Sequence, residues 1–334
     1  MTVPLRIILT LVVSLVTSQI TVPTASSEKL EKLVIGYPAP VASLATIDVI
    51  RKAGIFKKYG FDVDLVYIQG SPILTAAMVS GQVPISFIAG AAVVSSAVGG
   101  ADTVLVSCAI NTLFWRLFTT PEIKTFADLK GKKIGVTRIG TLEDGVLRYL
   151  LKQRGMDPER DVTFLAVGSA PSRLAALSKG VVQASSFIPP QDIAAEKLGL
   201  NELLDMSKLD LYNPASCLAT TKSYVRNNRD TLTRVMKAFV EGLKFYRQNK
   251  EFAIKVTADF ARSRDAEVLD KTYDVVTRFQ DRVPYVNPKG VEFILKVVEL
   301  RDPRAKTFAP ESVIDSSFIQ ELEKSGFIDD LWKR

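Results

Sequence analysis

The stretch "GQVPIS", Gly81 to Ser86, returns later in the chain as "GVVQAS", Gly180 to Ser185. Each copy follows an apolar run with helical spacing and begins a short run typical of a β-strand. The glycine is the expected stop of the helix in each copy. Because internal similarity is a guide to architecture, the two corners predict two related units in one chain.

The residues around the first corner predict alternating strands and helices. The expected elements are a strand at Leu33 to Ile35, a helix at Ser43 to Ala53, a strand at Asp62 to Ile68, a helix opening at Ser71-Pro72, a strand at Ile85 to Ile88, a helix at Ala91 to Val98 and the strand "TVLVSC". Strands that alternate with helices in this way indicate a parallel α/β unit.

The second unit repeats the pattern. Its expected elements are a strand at Ile134 to Thr137, a helix at Thr141 to Arg154, a strand at Asp161 to Val167 and a helix at Ser172 to Lys179. From Arg229 onward, apolar residues recur at three- and four-residue spacing in several segments, which predicts amphipathic helices covering one lobe. The fold class expected is therefore α/β with two lobes.

The amino-acid composition excludes several classes of function. A chain of 334 residues, 24% charged and 47% hydrophobic, suits two globular domains and gives no sign of disorder or of many membrane spans. Lys and Arg exceed Asp and Glu by 43 to 36, but the excess is scattered, so no nucleic-acid partner is expected. The absence of histidine removes Ser-His and Cys-His pairs and the commonest zinc ligand, so an enzyme would have to use Lys, Asp, Glu or Tyr. We expect no enzyme, no metal and no cofactor.

The N-terminus resembles a secretory signal. Arg6 precedes a ten-residue apolar run, Ile7 to Val16, which is too short to span a bilayer and is followed by small and polar residues. We predict a signal peptide over residues 1–26, with cleavage near Ala25 or Ser26; an N-terminal anchor is the alternative. No cysteine lies near that point, so a soluble periplasmic protein without a lipid anchor is expected.

The chain has two cysteines, Cys108 and Cys217. A disulfide is permitted in an exported protein. The sequence gives no Cα separation, and two buried free thiols are the favoured expectation.

Several longer segments resemble a known family. They are "GIFKKYGFDVDLVYIQGS", "VSGQVPISF", "IKTFADLKGKKIGVTRIGT" and "RGMDPERDVTFLAVGSAPSRLAALSKG", in this order and spacing. The chain resembles solute-binding proteins of ABC importers with the type II periplasmic-binding fold, in the branch of sulfonate, taurine, nitrate and thiamine-pyrimidine-precursor receptors. The resemblance implies two lobes, each a mixed sheet flanked by helices, with a ligand cleft between them.

The resemblance also implies that the chain leaves lobe one, builds lobe two and returns. Lobe one is expected at residues 27–112 and 220–334, lobe two at 113–219, and the hinge in "NTLFWRLFTTP" and "NPASCLATT". The family commonly has Asp after the Gly-x-Val of both corners, whereas Pro84 and Gln183 occupy those positions here. Either the corner's hydrogen bonds are rebuilt or the ligand differs.

A ligand in such a fold lies at the carboxyl ends of strands, where loops and helix N-termini meet. Exposed N–H groups and hydroxyls there can hold an anion. The expected ligand-binding residues in lobe one are Tyr37, Pro38, Ser43, Gly70, Ser71, Ala89, Gly90 and Ala91. Those in lobe two and the hinge are Trp115, Arg138, Gly140, Thr141, Gly168, Ser169, Phe187 and Pro189.

Most of these residues have a structural alternative. Thr141 fits a capping box with Asp144. Arg138 suits bidentate binding of an acid group, or else a surface ion pair with Glu143 or Asp144. Trp115 and Phe187 can stack on a flat ligand or simply pack. Ser43 and Ser71 are helix caps as readily as ligand donors.

The function expected is a monomeric receptor that closes on a small organic, anionic molecule and delivers it to a membrane permease. Two alternatives stay open: an enzyme on the same scaffold that makes pyrimidine or quinone precursors, and an exported sensor domain. The identity of the ligand is open, because the family covers inorganic anions, sulfonates, aromatic acids and pyrimidines.

Overall fold

The computed structural model describes residues 29–333, so the predicted signal peptide lies outside the described residues. The strands are β1 Glu31–Tyr37, β2 Phe61–Tyr67, β3 Ile85–Ile88, β4 Thr103–Thr112, β5 Arg116–Thr119, β6 Lys133–Val136, β7 Thr163–Ala166, β8 Ala184–Phe187, β9 Asn201–Asp205 and β10 Tyr212–Thr221. The helices up to β10 are α1 Thr46–Lys52, α2 Ile55–Lys58, α3 Ser71–Val79, α4 Gly90–Val98, α5 Leu142–Gln153, α6 Ala170–Ser178 and α7 Gln191–Lys197. The helices after β10 are α8 Lys222–Asn227, α9 Arg229–Gln248, α10 Lys250–Ala261, α11 Ala266–Phe279, α12 Pro288–Glu299, α13 Ser317–Lys324 and α14 Phe327–Lys333.

The strands form two five-stranded sheets of matching topology. The first has the order β2-β1-β3-β10-β4 and the second the order β7-β6-β8-β5-β9. In each sheet the first three strands are parallel and the fourth runs antiparallel to its neighbours. The predicted pair of related mixed sheets is therefore present.

The connections between the sheets make their carboxyl edges face each other. Strand β4 ends, and β10 begins, at the edge of the first sheet where β1 and β3 end. Strand β5 begins beside the end of β8, with Arg116 opposite Phe187, and β9 ends at the same edge. Both crossings of the chain thus join the two edges where ligands of α/β sheets bind.

The first predicted hinge segment, residues 111–121, contains the observed crossing, whereas the second, residues 213–221, does not. All of β10, including residues 213–221, belongs to the first sheet, and β5 already belongs to the second. The chain therefore passes between the sheets at 113–115 and at 206–211, and it returns to the first sheet before the predicted boundary at residue 220. The physical reason is that β10 completes its hydrogen bonds with β3 and β4.

The expectation of free thiols is wrong, because Cys108 and Cys217 form a disulfide. The two residues are register partners on the antiparallel strands β4 and β10, and their Cα atoms are 3.9 Å apart. The bond joins strands separated by 109 residues of sequence, a proximity that arises only from sheet pairing.

The two repeated corners have equivalent geometry. Gly81 and Gly180 both have left-handed backbone angles, with φ of 80° and 68°, and each donates its N–H to a carbonyl near the end of the preceding helix. At the second corner Gln183 accepts from the Lys133 N–H at 3.1 Å and donates to the Gly180 carbonyl at 2.7 Å. Gln183 therefore rebuilds the hydrogen bonding of this corner.

Helices cover both faces of the first sheet. Along β1 the side chains alternate, with Leu33 and Ile35 in a core shared with α1 and α9 and Val34 in a core shared with α3 and α4. Most C-terminal helices cover lobe one, but α12 differs from this expectation. Its residues Phe293 and Val297 belong to the core of the second sheet, so α12 bridges the two lobes. No helix within residues 29–333 is both long enough and apolar enough to cross a membrane.

Candidate ligand-binding cleft

The lobe-one wall of the cleft is a set of loops held to one another by backbone hydrogen bonds. The carbonyl of Tyr37 accepts from the Ile68 N–H at 3.1 Å, and that of Pro38 accepts from the Gly70 N–H at 3.1 Å. These bonds fix the loop after β1 against the loop after β2. Gly70, with φ of 93°, then caps α3, whose first residue is the predicted Ser71.

Ser43 and the start of α4 lie on the same side. Ser43 is buried, and its carbonyl accepts from the Ser216 hydroxyl of β10 at 3.1 Å. Ala89 is the N-cap of α4, and no side chain caps this helix within the described residues. Gly90 is in close contact with Pro214, because a Cβ added at Gly90 would lie 2.8 Å from the Pro214 Cβ. Gly90 therefore lets the helix approach β10, and it leaves the N–H groups of Ala89 to Ala91 as the donors of this corner.

The lobe-two wall begins with the loop after β6, where the capping alternative for Thr141 is realised. The Thr141 hydroxyl accepts from the Asp144 N–H and donates to the Arg138 carbonyl at 2.9 Å. The Asp144 carboxylate accepts from the Gly140 N–H at 2.8 Å. Since these groups and the acidic first turn already satisfy one another, the start of α5 is poorly suited to hold a bare anion.

Arg301, which follows α12, contacts this loop from the side of lobe one. Its guanidinium donates to the buried Asp144 carboxylate at 2.8 Å and lies against Gly140, where a Cβ would overlap it. Asp144 also accepts from Arg148 at 2.8 Å. A side chain at Gly140 would displace the Arg301 guanidinium from this position, and the φ of 93° at Gly140 itself favours glycine.

A buried ion pair lies below the same loop. Arg173 on α6 and Glu143 on α5 are 3.1 Å apart and are 6% and 7% exposed. Burial lowers the pKa of Arg173, and the Glu143 carboxylate opposes that change. The pair lies where three parallel strands of the second sheet end, and so it defines the floor of the cleft on this side.

All the donors of Arg173 are used within the protein. Its partners are the hydroxyls of Thr137 and Ser185, the carbonyls of Gly168 and Ser186, and the Glu143 carboxylate. Glu143 in turn accepts from the backbone N–H and hydroxyl of Thr137 and from the Ser186 hydroxyl. Arg173 is thus a positioning residue, which holds the ends of β6, β7 and β8 together.

Arg138 is left without a carboxylate partner. The residue is exposed, and among residues 29–333 it makes no ion pair, because Glu143 pairs with Arg173 and Asp144 pairs with Arg148 and Arg301. The surface pairing considered from the sequence is therefore absent. A guanidinium at the carboxyl edge of the second sheet is available to an acidic group.

The remaining predicted residues of lobe two have mainly structural contacts. Ser169 caps α6 by accepting from the Ser172 N–H at 3.3 Å. Phe187 is 2% exposed, with its ring packed on Phe118, so no face is left for stacking on a ligand. Trp115 packs against the core of the second sheet, and Pro189 is buried before a cis peptide bond to Pro190.

Sequence reasoning missed Arg173 and Glu143, which have many polar contacts, as site residues, and it missed Arg301, which joins the lobes. Arg173 left one signal: it is four residues before the buried Leu177 on α6, and so it is a charged residue on the apolar face of a helix. No sequence pattern indicates the role of Arg301, since its partner Asp144 is 157 residues away in the chain. Within the described part of the chain no group of three or more Cys, Asp and Glu is placed to hold a metal ion.

The two lobes also touch on the opposite side of the cleft. Lys197 at the end of α7 donates to Glu267 on α11 at 2.8 Å and lies 3.8 Å from Asp265. Lys197 and Lys271 lower the pKa of Glu267 to about 2 through hydrogen bonds and charge. Ile188, which follows β8, packs against the core of lobe one. The cleft is therefore bounded on both sides by contacts between the lobes.

Comparison with known proteins agrees with this architecture. A family model described as "NMT1/THI5 like" matches residues 44–253. A binding protein of Brucella abortus is 28% identical over 233 residues, which are 68% of this chain and 71% of that protein.

Two solved structures share the fold. The periplasmic aliphatic sulphonate binding protein SsuA of Escherichia coli matches with a TM-score of 0.68 and 20% identity, over 86% of this chain and 92% of SsuA. The periplasmic nitrate-binding protein NrtA of Synechocystis matches with a TM-score of 0.69 and 14% identity, over 91% of each chain. At these identities the similarity establishes the two-lobed fold alone. Because the family model covers more than half of its residues, the chain belongs to the NMT1/THI5-like family.

Proposed function

We propose that this protein is the extracytoplasmic solute-binding component of an ABC importer, which closes its two lobes on a small organic anion and delivers it to a permease. The observation that carries the proposal is the cleft itself. Two sheets of equal topology present their carboxyl edges to each other and are joined by two short crossings. This arrangement lets the lobes move as units about the crossings.

The relatives and the disulfide support a location outside the cytoplasm. SsuA is a periplasmic aliphatic sulphonate binding protein, and NrtA is a periplasmic nitrate-binding protein. The disulfide between Cys108 and Cys217 is of a kind that persists in oxidising compartments. Both agree with the secretory signal expected at residues 1–26.

The preference for an anion rests on the charge left free at the cleft. Arg138 projects from the loop after β6 without a carboxylate partner in the described chain. The N–H groups at the start of α4 lack a side-chain cap. A sulfonate or carboxylate meets both kinds of donor, one from each lobe, and only when the lobes are close.

Closure follows from this division of the contacts. A ligand shifts the population toward the closed form only by as much as it binds that form more tightly. Contacts supplied by both lobes provide this difference, and the pairs Arg301–Asp144 and Lys197–Glu267 hold the lobes together at the sides of the cleft. We expect no catalysis, since the proposed role is binding and delivery, and the missing histidine removes the commonest general base.

The test is a thermal-shift screen against sulfonates, nitrate, carboxylates, aromatic acids and pyrimidines, combined with small-angle X-ray scattering. A ligand at about 100 times its Kd adds ~2.7 kcal/mol to the free energy of unfolding. At ~2.1 cal/mol/K of unfolding entropy per residue, that raises the midpoint of a chain of about 300 residues by about 4 °C. The same ligand should lower the radius of gyration, and Arg138→Ala should reduce its effect. If no solute in the panel changes either quantity in a well-folded sample, the receptor proposal fails.

A further inference from the structure

A cavity of about 330 Å³ lies on lobe one, where β1 and β2 end. Its walls come from Tyr37 and Tyr67 at the ends of the two strands, from Asp48 and Arg51 on α1, and from the end of α10. The volume is within the range of small-molecule sites, about 300–1,000 Å³. We call it the β1–β2 cavity.

One wall of the β1–β2 cavity is aromatic. The ring centroid of Tyr37 is 4.8 Å from that of Phe260 and 5.6 Å from that of Tyr67, with tilted planes. Tyr67 is 48% exposed, although it is a large ring at the end of a strand. Offset aromatic rings attract each other at these separations, so the wall is suited to a further flat ring.

The opposite wall carries one cation in excess. The buried Asp48 pairs with Arg51 at 2.7 Å and with Lys52 at 3.4 Å, and Lys52 also lies 3.9 Å from Asp259. Arg262 is exposed and has no ion pair or side-chain hydrogen bond with any residue of the described chain. The guanidinium of Arg262 is therefore the cation of this cavity that remains free for a ligand.

The backbone of Arg262 is also unusual. It ends α10 with φ of 52° and ψ of 40°, and it is the one residue other than glycine with a positive φ among those described. Glycine is the ordinary residue in this position, because a Cβ is disfavoured there. A strained residue that is exposed and lines a cavity is a candidate for a functional role.

Tyr37, which carries a hydroxyl, lines the same cavity as Arg262. Burial raises its pKa, the Asp48 carboxylate raises it further, and the nearby guanidinium groups of Arg262 and Arg51 lower it. No hydrogen bond joins this hydroxyl to another group in the described chain. The cavity thus combines an aromatic wall with a hydroxyl and a guanidinium that both lack partners.

We propose that the β1–β2 cavity binds a planar aromatic acid, with its ring against Tyr67 and Phe260 and its carboxylate or sulfonate bonded to Arg262 and the Tyr37 hydroxyl. This site is separate from the donors of the cleft, Arg138 and the start of α4, because neither lines the cavity and all the residues that line it belong to lobe one. Strands β1 and β2 end at the edge of the cleft, so a ligand held there lies at the boundary that lobe two faces on closure.

The test is calorimetric titration with benzoate, benzenesulfonate and cyclohexanecarboxylate. We expect at least one of the two aromatic acids to bind about 10-fold more tightly than the puckered acid, because only a flat ring fits the aromatic wall. Comparison of benzoate with benzenesulfonate shows which acid group is preferred.

Two variants separate the contributions of charge and ring. Arg262→Asn should weaken binding about 10-fold or more, since a charge-assisted hydrogen bond is lost, while Asn tolerates the left-handed backbone and keeps the fold. Tyr67→Leu should weaken it roughly 3- to 10-fold. The control is Arg226→Asn on α8, an exposed arginine that makes no ion pair among the described residues and does not line the cavity. It should leave the affinity within about 2-fold.

The outcomes distinguish this inference from the proposed function. Equal affinity in the wild type and Arg262→Asn, or no binding of either aromatic acid, overturns the inference. If another solute then stabilises the protein and closes the lobes, the receptor function stands without it. If no solute does either, the receptor function fails as well.

Discussion

Removal of the Arg173 side chain should destabilise lobe two strongly. Arg173 is buried, and its guanidinium bonds four polar groups besides the Glu143 carboxylate. In Arg173→Met the hydrophobic chain length is kept, but Glu143 remains buried without a counter-charge. Breaking one partner of a buried pair costs about 3–5 kcal/mol.

The lower end of this range is expected here. Glu143 keeps three hydrogen bonds in the variant, from the N–H and hydroxyl of Thr137 and from the Ser186 hydroxyl. A loss of about 3 kcal/mol lowers the midpoint by about 5 °C, at ~1.5 °C per kcal/mol for a chain of about 300 residues. Circular dichroism during heating, with no ligand present, measures the shift.

Two further variants make the result decisive. Arg173→Met combined with Glu143→Gln removes the orphaned charge, so the double variant should be more stable than the sum of the single effects predicts, by about 0.5–3 kcal/mol. Arg138→Met, at an exposed arginine of the same lobe, should change stability by less than about 0.5 kcal/mol. If Arg173→Met melts like Arg138→Met, the ion pair does not hold the strand ends and the reasoning is refuted.

Three other perturbations test the contacts that join the lobes and strands. Gly145→Ala on α5 should lower the melting temperature, because the added Cβ would overlap Val297 of α12. Adding Val297→Ala should restore the melting temperature. An unchanged melting temperature in Gly145→Ala would show that α12 moves aside without cost. Replacing both Cys108 and Cys217 by Ala should lower the free energy of unfolding, measured with urea, by about 2–4 kcal/mol, since the disulfide closes a loop of 109 residues. Equal urea midpoints for the oxidised wild type and the variant would contradict this prediction. Lys197→Glu should reduce the closed fraction in small-angle scattering with ligand, an effect that weakens with added salt. In the wild type the Lys197–Glu267 pair should persist above pH 4.5 and be lost only as the pH falls toward about 2, because the pKa of Glu267 is lowered. Loss of lobe closure already at pH 5 would contradict this prediction.

Local patterns in the sequence were enough to predict the repeated units. Gly81 and Gly180 end helices before equivalent strands, and Thr141 caps α5 as its spacing to Asp144 predicts. Such features depend on hydrogen bonds between residues a few positions apart, so the sequence contains all the partners. The departure from the family at Gln183 is only half local: Gln183 donates to the Gly180 carbonyl three residues away, but it accepts from the Lys133 N–H of a neighbouring strand.

Other assignments required distances between residues far apart in the chain. Cys108 meets Cys217 only because β4 and β10 are antiparallel neighbours, and Phe187 turns into the lobe core because of its place in the strand alternation. The register of a strand is set by its partners, and a shift of one residue reverses every side chain.

By itself, therefore, the sequence determined the α/β class, the two related units and the cap of α5, since each follows from local spacing and periodicity. Only the tertiary structure decided which charges remain free. Glu143 is neutralised by Arg173 and Asp144 by Arg301, which leaves Arg138 without a carboxylate in the described chain. The reason is physical: an ion pair needs proximity in space, and the folding of two sheets onto one cleft brings together groups that the chain keeps as many as 157 residues apart.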